Sequence, residues 1–331
     1  ALLPALSRED SAPVETDRQP PSLHSVRFRY RARLLELLRL VPGTRETRMT
    51  DDSPTQLSGL LILDGAVEPD QVEVDVGGGS VVALTSRDPE KDTENEDTVA
   101  VIPYTAEAVV LVVADGAGGL PAGKQASLTA TTTLAASLHS ARQQATLLRT
   151  AILNGIEAAN EAVIALGNGS ATTMTVVSIE GLVARSFQIG DSEALVVSQG
   201  GSIRAQTTAH SPTGFAVEAG FLDQRDALHH ADRHLVSNFL GTRDMRIDMG
   251  AGIELRPRDT VLVASDGLVD NVHLDEIIER IRKGPLLDGA RALAGLAYHR
   301  MANSEGRQPS KPDDLSLLLF RKPESGRSII D

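Results

Sequence analysis

The nine residues AVVLVVADG at positions 108–116 place seven apolar side chains in a row and then a carboxylate at a turn. The apolar run ends at a turn and reads as a strand. Asp115-Gly116 then supplies turn chemistry, Asp tolerating the bend and Gly the positive φ. A carboxylate delivered by a buried strand is costly unless something positive neutralises it. The same design recurs along the chain. TVLVASDG (260–267) ends in Ser265-Asp266-Gly267, LVARSFQI leads into Gly190-Asp191-Ser192, Asn95-Glu96-Asp97 opens another run, and Pro312-Asp313-Asp314-Leu315-Ser316 leads into LSLLLF. Singly, each patch is a turn; together they predict one shared site at the ends of several strands.

Working outward, GLLILDG and QVEVDVGGGSVVALTS read as strands broken by Gly. Residues 122–140 and 146–166 read as helices, the second with Leu148, Ile152, Ile156, Val163 and Leu166 at helical spacing. TMTVVSIEG, LVARSFQIGDS and EALVVSQGG are strand-like, with a hairpin turn at Ser198–Gly201. Residues 205–245 are irregular, with a mixed helical stretch expected around 224–240. Residues 274–283 and 286–303 read as helices before the last strand at 315–320. Strands in runs, paired helices, then strands again predict a layered arrangement of sheets and helices, not a regular βαβ alternation.

The composition bounds what such a fold can do. The 331 residues are 41% hydrophobic but only 3% aromatic, so the core is built from Ala, Val, Leu and Ile. A net charge of -13 argues against nonspecific nucleic-acid binding. The absence of Cys excludes disulfides and thiolate metal sites and fits a reducing, cytoplasmic setting. No signal-peptide pattern and no run of 18 apolar residues is present, so no membrane span is expected. Residues 1–58 read as an N-terminal extension: a Pro/Ser-rich start, then a basic amphipathic helix at 26–40 suited to docking on its own domain or a partner. A catalytic domain is expected over 59–324 and a tail over 325–331.

Convergent carboxylates without Cys, and without an obvious His cluster, favour hard divalent ions such as Mg²⁺ or Mn²⁺. Two such ions can lower the pKa of a shared water and polarise a phosphoryl group.

The order NED, VVADGAGG, GDS with a following hairpin, TTAHSP, ASDG and DDLS resembles the metal-dependent PP2C-type (PPM) serine/threonine phosphatases over residues 75–321, and the bacterial branch most, since DGAGG is similar to its DGMGG. The resemblance implies an α+β fold: a four-layer α-β-β-α sandwich of two antiparallel sheets flanked by helices. It implies that Asp97 and Asp115 hold two core metals, that the Gly116 carbonyl joins them, and that Asp266 and Asp313 complete the shell. It further implies that Asp97, Asp115 and Asp266 carry catalysis, that Glu96 acts through water, and that Asp191 binds a third, weaker metal. Residues 205–240 would form a flap beside the site. The expected reaction is hydrolysis of phosphoserine or phosphothreonine on proteins, the targets of a Ser/Thr kinase, by a metal-activated bridging water.

Two positions depart from the family pattern. Five residues before Asp97, where an Arg grips phosphate, stands Asp92; a one-residue shift would offer Lys91, with Arg87 nearby. Where the eukaryotic branch has a His proposed as general acid stands Ala117, and His210 corresponds to a residue outside the metal cluster. These departures leave two alternatives: a pseudo-phosphatase scaffold of the same fold, or a phosphatase acting on a small phosphorylated metabolite.

Overall fold

The computed structural model describes residues 60–65, 69–117, 122–303 and 308–323. The expected basic helix at 26–40 and the tail at 325–331 lie outside the described residues. Thirteen strands form two antiparallel sheets among these residues. The first sheet has the order β1-β4-β5-β6-β7-β10, with β11 also paired to β7: β1 Leu61–Leu63, β4 Asp97–Thr105, β5 Ala108–Asp115, β6 Met174–Glu180, β7 Val183–Ile189, β10 Asp248–Met249 and β11 Ile253–Glu254. The second runs β2-β3-β13-β12-β8-β9: β2 Asp70–Val76, β3 Gly79–Ser86, β13 Leu315–Arg321, β12 Thr260–Ala264, β8 Glu193–Val197 and β9 Ile203–Gln206.

Helices α1 (Gly123–Gln143) and α2 (Leu148–Ile164) cover the first sheet, and α5 (Asp266–Val269), α6 (Leu274–Ile281) and α7 (Leu286–Met301) cover the second. Two short helices, α3 (Pro212–Glu218) and α4 (Gln224–Ala227), lie in the irregular stretch. This is the expected α-β-β-α sandwich.

The strands are continuous apolar runs because both faces are buried. In β5, Val110, Val112 and Ala114 pack into the cluster with Leu134, Leu138, Ile152 and Ile156 of the helices, while the alternate residues Val109, Leu111 and Val113 are equally buried on the other side. The same alternation holds in the second sheet, where Leu315, Leu317 and Leu319 join the helix-side cluster with Leu293 and Ile277. Because side chains alternate with period two, this parity fixes where the end residues point. Asp115 shares the inter-sheet face of β5, Asp97 that of β4, and Asp314 and Ser316 that of β13.

One expectation fails. Instead of a helical stretch at 224–240, only Gln224–Ala227 is helical. Leu228, Ala231, Leu235 and Phe239 do recur at helical spacing, but long-range hydrogen bonds override it. The backbone of this stretch is tied to the sheet edge, with Leu240 N–H donating to Thr172 O (2.9 Å) and Thr172 N–H to Leu240 O (3.0 Å).

Candidate active site

Asp97 and Asp115 are directly opposite each other in the β4–β5 ladder. Both carboxylates therefore enter the same gap between the sheets. The second sheet answers from across it: the Ser265 hydroxyl donates to Asp97 Oδ2 at 2.8 Å, and Ser316 N–H donates to Ser265 Oγ at 2.9 Å. Burial, and then the charge of Asp314, push the Asp97 carboxyl up to about 7. Asp115 is raised by burial and by Asp97, Asp266, Asp313 and Asp191.

Glycine is required where these chains touch. A Cβ on Gly116 would lie 2.3 Å from Gly123 O and 2.9 Å from Glu96 O. A Cβ on Gly267 would lie 1.9 Å from Asp314 O. Asp266 is the first residue of α5, two residues past the end of β12, so the ASDG motif is a strand-to-helix junction and not a simple turn. Asp266 Oδ1 is buried with no hydrogen-bond partner.

Gly190-Asp191-Ser192 carries the chain from β7 in one sheet to β8 in the other. Gly190 has φ 101°, and a Cβ there would meet Thr173 at 2.5 Å. His210 braces this crossing: its Nδ1 accepts from Gly190 N–H (3.1 Å) and Asn238 Nδ2 (2.8 Å), so Nε2–H donates to Asp248 (2.9 Å). With both ring nitrogens engaged in that bracing, His210 is a strut. Asp191 is thereby held buried, its pKa raised by burial and by Asp266.

The loop before β4 is organised by Asp314. This buried carboxylate accepts from Asp88 N–H (2.9 Å), Glu96 N–H (2.7 Å) and Lys91 Nζ (2.8 Å). Lys91 also pairs with Glu96 at 2.7 Å. Arg87 instead donates to Thr93 O at 3.3 Å, and Asp92 is exposed.

Sequence reasoning missed three members of the cluster. Asp314 was visible beside Asp313, but only its burial gives it a role. Asp270 lies four residues after Asp266, one helical turn on, which is a readable signal; burial pushes it up to about 6 against the opposing charge of Lys311. Lys311 carried no sequence signal. Its ammonium contacts Asp266, Asp270 (3.0 Å) and Asp313 (3.4 Å). Burial works to raise the Asp266 pKa, but Lys311 holds it below the ordinary value. Asp313 is raised to about 8 by burial and by Asp266. Among the described residues, no group of three or more His, Asp or Glu side chains stands arranged round a metal position, and the Lys311 ammonium lies among the carboxylates of the second sheet.

A cleft of about 540 Å³ opens from Asp191, Asp266 and Asp270 between α3–α4 and α6, with Arg225 and Arg233 on its walls. No helix among the described residues is long and apolar enough to cross a membrane.

Comparison with known proteins agrees with this geometry. Residues 88–287, more than half of the chain, match the protein phosphatase 2C family. Protein phosphatase PhpP of Streptococcus pneumoniae is 28% identical over 225 residues, covering 66% of this chain and 89% of PhpP. The serine/threonine phosphatase of S. agalactiae superposes with a TM-score of 0.62 at 25% identity, covering 73% of this chain and 98% of that one. The catalytic domain of the serine/threonine phosphatase PstP, in complex with two manganese ions, shares the fold with a TM-score of 0.58 at 23% identity over 74% of this chain and 98% of its own. The chain belongs to the protein phosphatase 2C family, in its bacterial serine/threonine phosphatase branch, and is a phosphohydrolase of that type.

Proposed function

We propose that this chain hydrolyses phosphoserine and phosphothreonine on proteins, using two divalent ions, Mn²⁺ or Mg²⁺, held by Asp97, Asp115, Asp266, Asp313 and the Gly116 carbonyl. The observation that carries the reading is the meeting of Asp97 and Asp115 from one sheet with the Asp266 and Asp313 junctions of the other, across a gap bridged by the Ser265–Asp97 hydrogen bond. The donors are all hard oxygens, as such ions prefer. Burial first, and then the charge of neighbouring carboxylates, raises Asp97, Asp115 and Asp313 above ordinary carboxylates, and Asp266 Oδ1 is left without a partner. Both facts are those of a donor set short of positive charge. The relative PstP holds two manganese ions on the same fold.

When bound, the ions would polarise the phosphoryl oxygens and supply a water of lowered pKa. The remaining work belongs to the chain. The Ser265 and Ser316 hydroxyls orient Asp97. Gly116 lets the chain approach the backbone at Glu96 and Gly123, and Gly267 lets it approach the backbone at Asp314. Glu96 anchors Lys91 beside Asp97 and acts on the site through water. Of the two cations offered for the substrate phosphate, Lys91 is the one fixed next to Asp97, held there by Glu96 and Asp314, whereas Arg87 is turned to Thr93 O. Lys91 would act as a point charge, not a bidentate fork. The flap at 205–240 walls the cleft that a phosphorylated segment would enter. The catalytic domain in this reading spans 59–324.

Asp115→Ala and Asp266→Ala should each lower metal-dependent p-nitrophenyl phosphate hydrolysis by more than about 100-fold, the scale of losing one transition-state charge contact. Full activity in either variant refutes the assignment. A small phosphorylated metabolite is the second reading. It is favoured by Asp92 on the loop and by a cleft of small-molecule size. Turnover of a phosphothreonine peptide against small phosphomonoesters decides between them.

A further inference from the structure

We propose that the ammonium of Lys311 is a built-in counter-ion that holds the Asp191–Asp266–Asp270 corner of the site in place of a divalent ion, so that the chain loads two metals and not three. The inference rests on the two-metal reading above and adds which corner stays closed to metal.

The position of Lys311 is fixed on both sides of its backbone. Asn271, fully buried just past α5, donates from Nδ2 to Lys311 O (2.8 Å) and accepts from Lys311 N–H at Oδ1 (2.7 Å). The same Asn271 amide group also donates to Gly267 O (2.9 Å), inside the helix turn that carries Asp266. Arg300, itself buried, donates to Asn271 O at 2.8 Å. Pro312 follows directly and limits the backbone freedom of Lys311. The lysine is therefore locked to the turn whose carboxylates it meets.

Its three ammonium donors have three carboxylate partners: Asp266, Asp270 and Asp313. Its charge also acts on Asp191. A tethered ammonium competes with free ions as a group at millimolar or higher effective concentration. A metal entering this corner must displace that group and leave a half-buried positive charge beside itself. Asp266 and Asp313 also serve the core pair, and they keep oxygens for it: Lys311 takes Asp266 Oδ2 and leaves the unpartnered Oδ1, and its contact with Asp313 is the longest of the three at 3.4 Å. On the Asp97–Asp115 side Lys91 is tied to Glu96 and Asp314.

Mn²⁺ titration calorimetry, with the count of bound ions checked by equilibrium dialysis up to 5 mM (about the effective concentration of a short tether), tests this on the chelator-stripped full chain. Wild type should bind two Mn²⁺, and Lys311→Arg should also bind two. Lys311→Met should bind three, and its melting temperature should rise more on adding Mn²⁺ than that of wild type. Asp191→Asn, made in the otherwise native chain, should leave the count at two, since its corner holds no metal. Three ions on wild type, two on a folded Lys311→Met, or loss of an ion in Asp191→Asn each overturns the proposal while the two-metal reading stands. A wild type that binds fewer than two Mn²⁺ sinks the two-metal reading itself, and this inference with it.

Discussion

Replacing Asp97 by Asn should inactivate the enzyme and yet stabilise it when metal is withheld. Asp97 is almost wholly buried, faces Asp115, Asp314 and Asp266, and has its carboxyl pushed from 3.8 up to about 7. Each tenfold change in proton affinity is worth ~1.4 kcal/mol, so ionising Asp97 in the folded chain costs roughly 4 kcal/mol more than in the unfolded chain. Asn removes the charge at nearly constant volume, and its oxygen still accepts from Ser265. Part of the relief is already taken up in wild type, because Asp115 and Asp313 can share a proton with Asp97, which leaves about 2 kcal/mol for the substitution. The pH dependence follows from the raised folded-state value. Below about pH 4 both states bind the proton, and the variant has no advantage. Between pH 4 and 7 the folded wild type keeps a proton that the unfolded chain has released, so wild-type stability falls with rising pH. Above about pH 7 the advantage of Asp97→Asn is full and constant. Urea unfolding in EDTA at pH 4.5 and pH 8 reads both limits. Saturating Mn²⁺ should reverse the order, because ligand at 100 times its Kd adds ~2.7 kcal/mol to a chain that binds it. A variant less stable than wild type in EDTA at pH 8, or more stable in both EDTA and Mn²⁺, refutes the reasoning.

Two further substitutions probe the frame round the site. Gly267→Ala places a Cβ 1.9 Å from the Asp314 carbonyl oxygen, forcing α5 away from the start of β13; about 2–3 kcal/mol of stability should be lost by urea unfolding, and p-nitrophenyl phosphate turnover should fall ~100-fold through displacement of Asp266 from Asp313. Arg300→Ala breaks the 2.8 Å ion pair to Glu276 and frees Asn271 O, which should cost ~3 kcal/mol at pH 7. Burial works to raise Glu276, but the Arg300 hydrogen bond and charge hold it below its ordinary value of 4.5, so the Arg300→Ala deficit should shrink as pH falls below that value, as thermal melts at pH 7 and pH 4 will show.

Much of the frame was legible in one dimension. The run at 108–116, the runs at 260–264 and 315–320 of the second sheet, and the helices beginning near 123, 148, 274 and 286 all announce themselves through period and β-branching, because a layer buried on both faces leaves no polar residues to blur the pattern. The order of the acidic motifs singled out Asp97, Asp115, Asp191, Asp266 and Asp313. The helical spacing of Leu228, Ala231, Leu235 and Phe239 misleads, because the backbone of Ser237 and Leu240 is hydrogen-bonded instead to His210 and Thr172, which are distant in sequence. Lys311 was invisible for the same reason: its meaning lies in the Asn271 clamp and in carboxylates 41 to 45 residues away.

Burial and alternation act on neighbours along the chain, so the strands, the helices that cover them and the carboxylates at the strand ends are written locally. How those carboxylates are balanced is set by the fold. Which of them share a gap, that Asp314 ties down the loop of Lys91, and that an ammonium sits where charge is most crowded depend on distances between segments more than forty residues apart. Electrostatic energy depends on separation in space, and no local pattern encodes it.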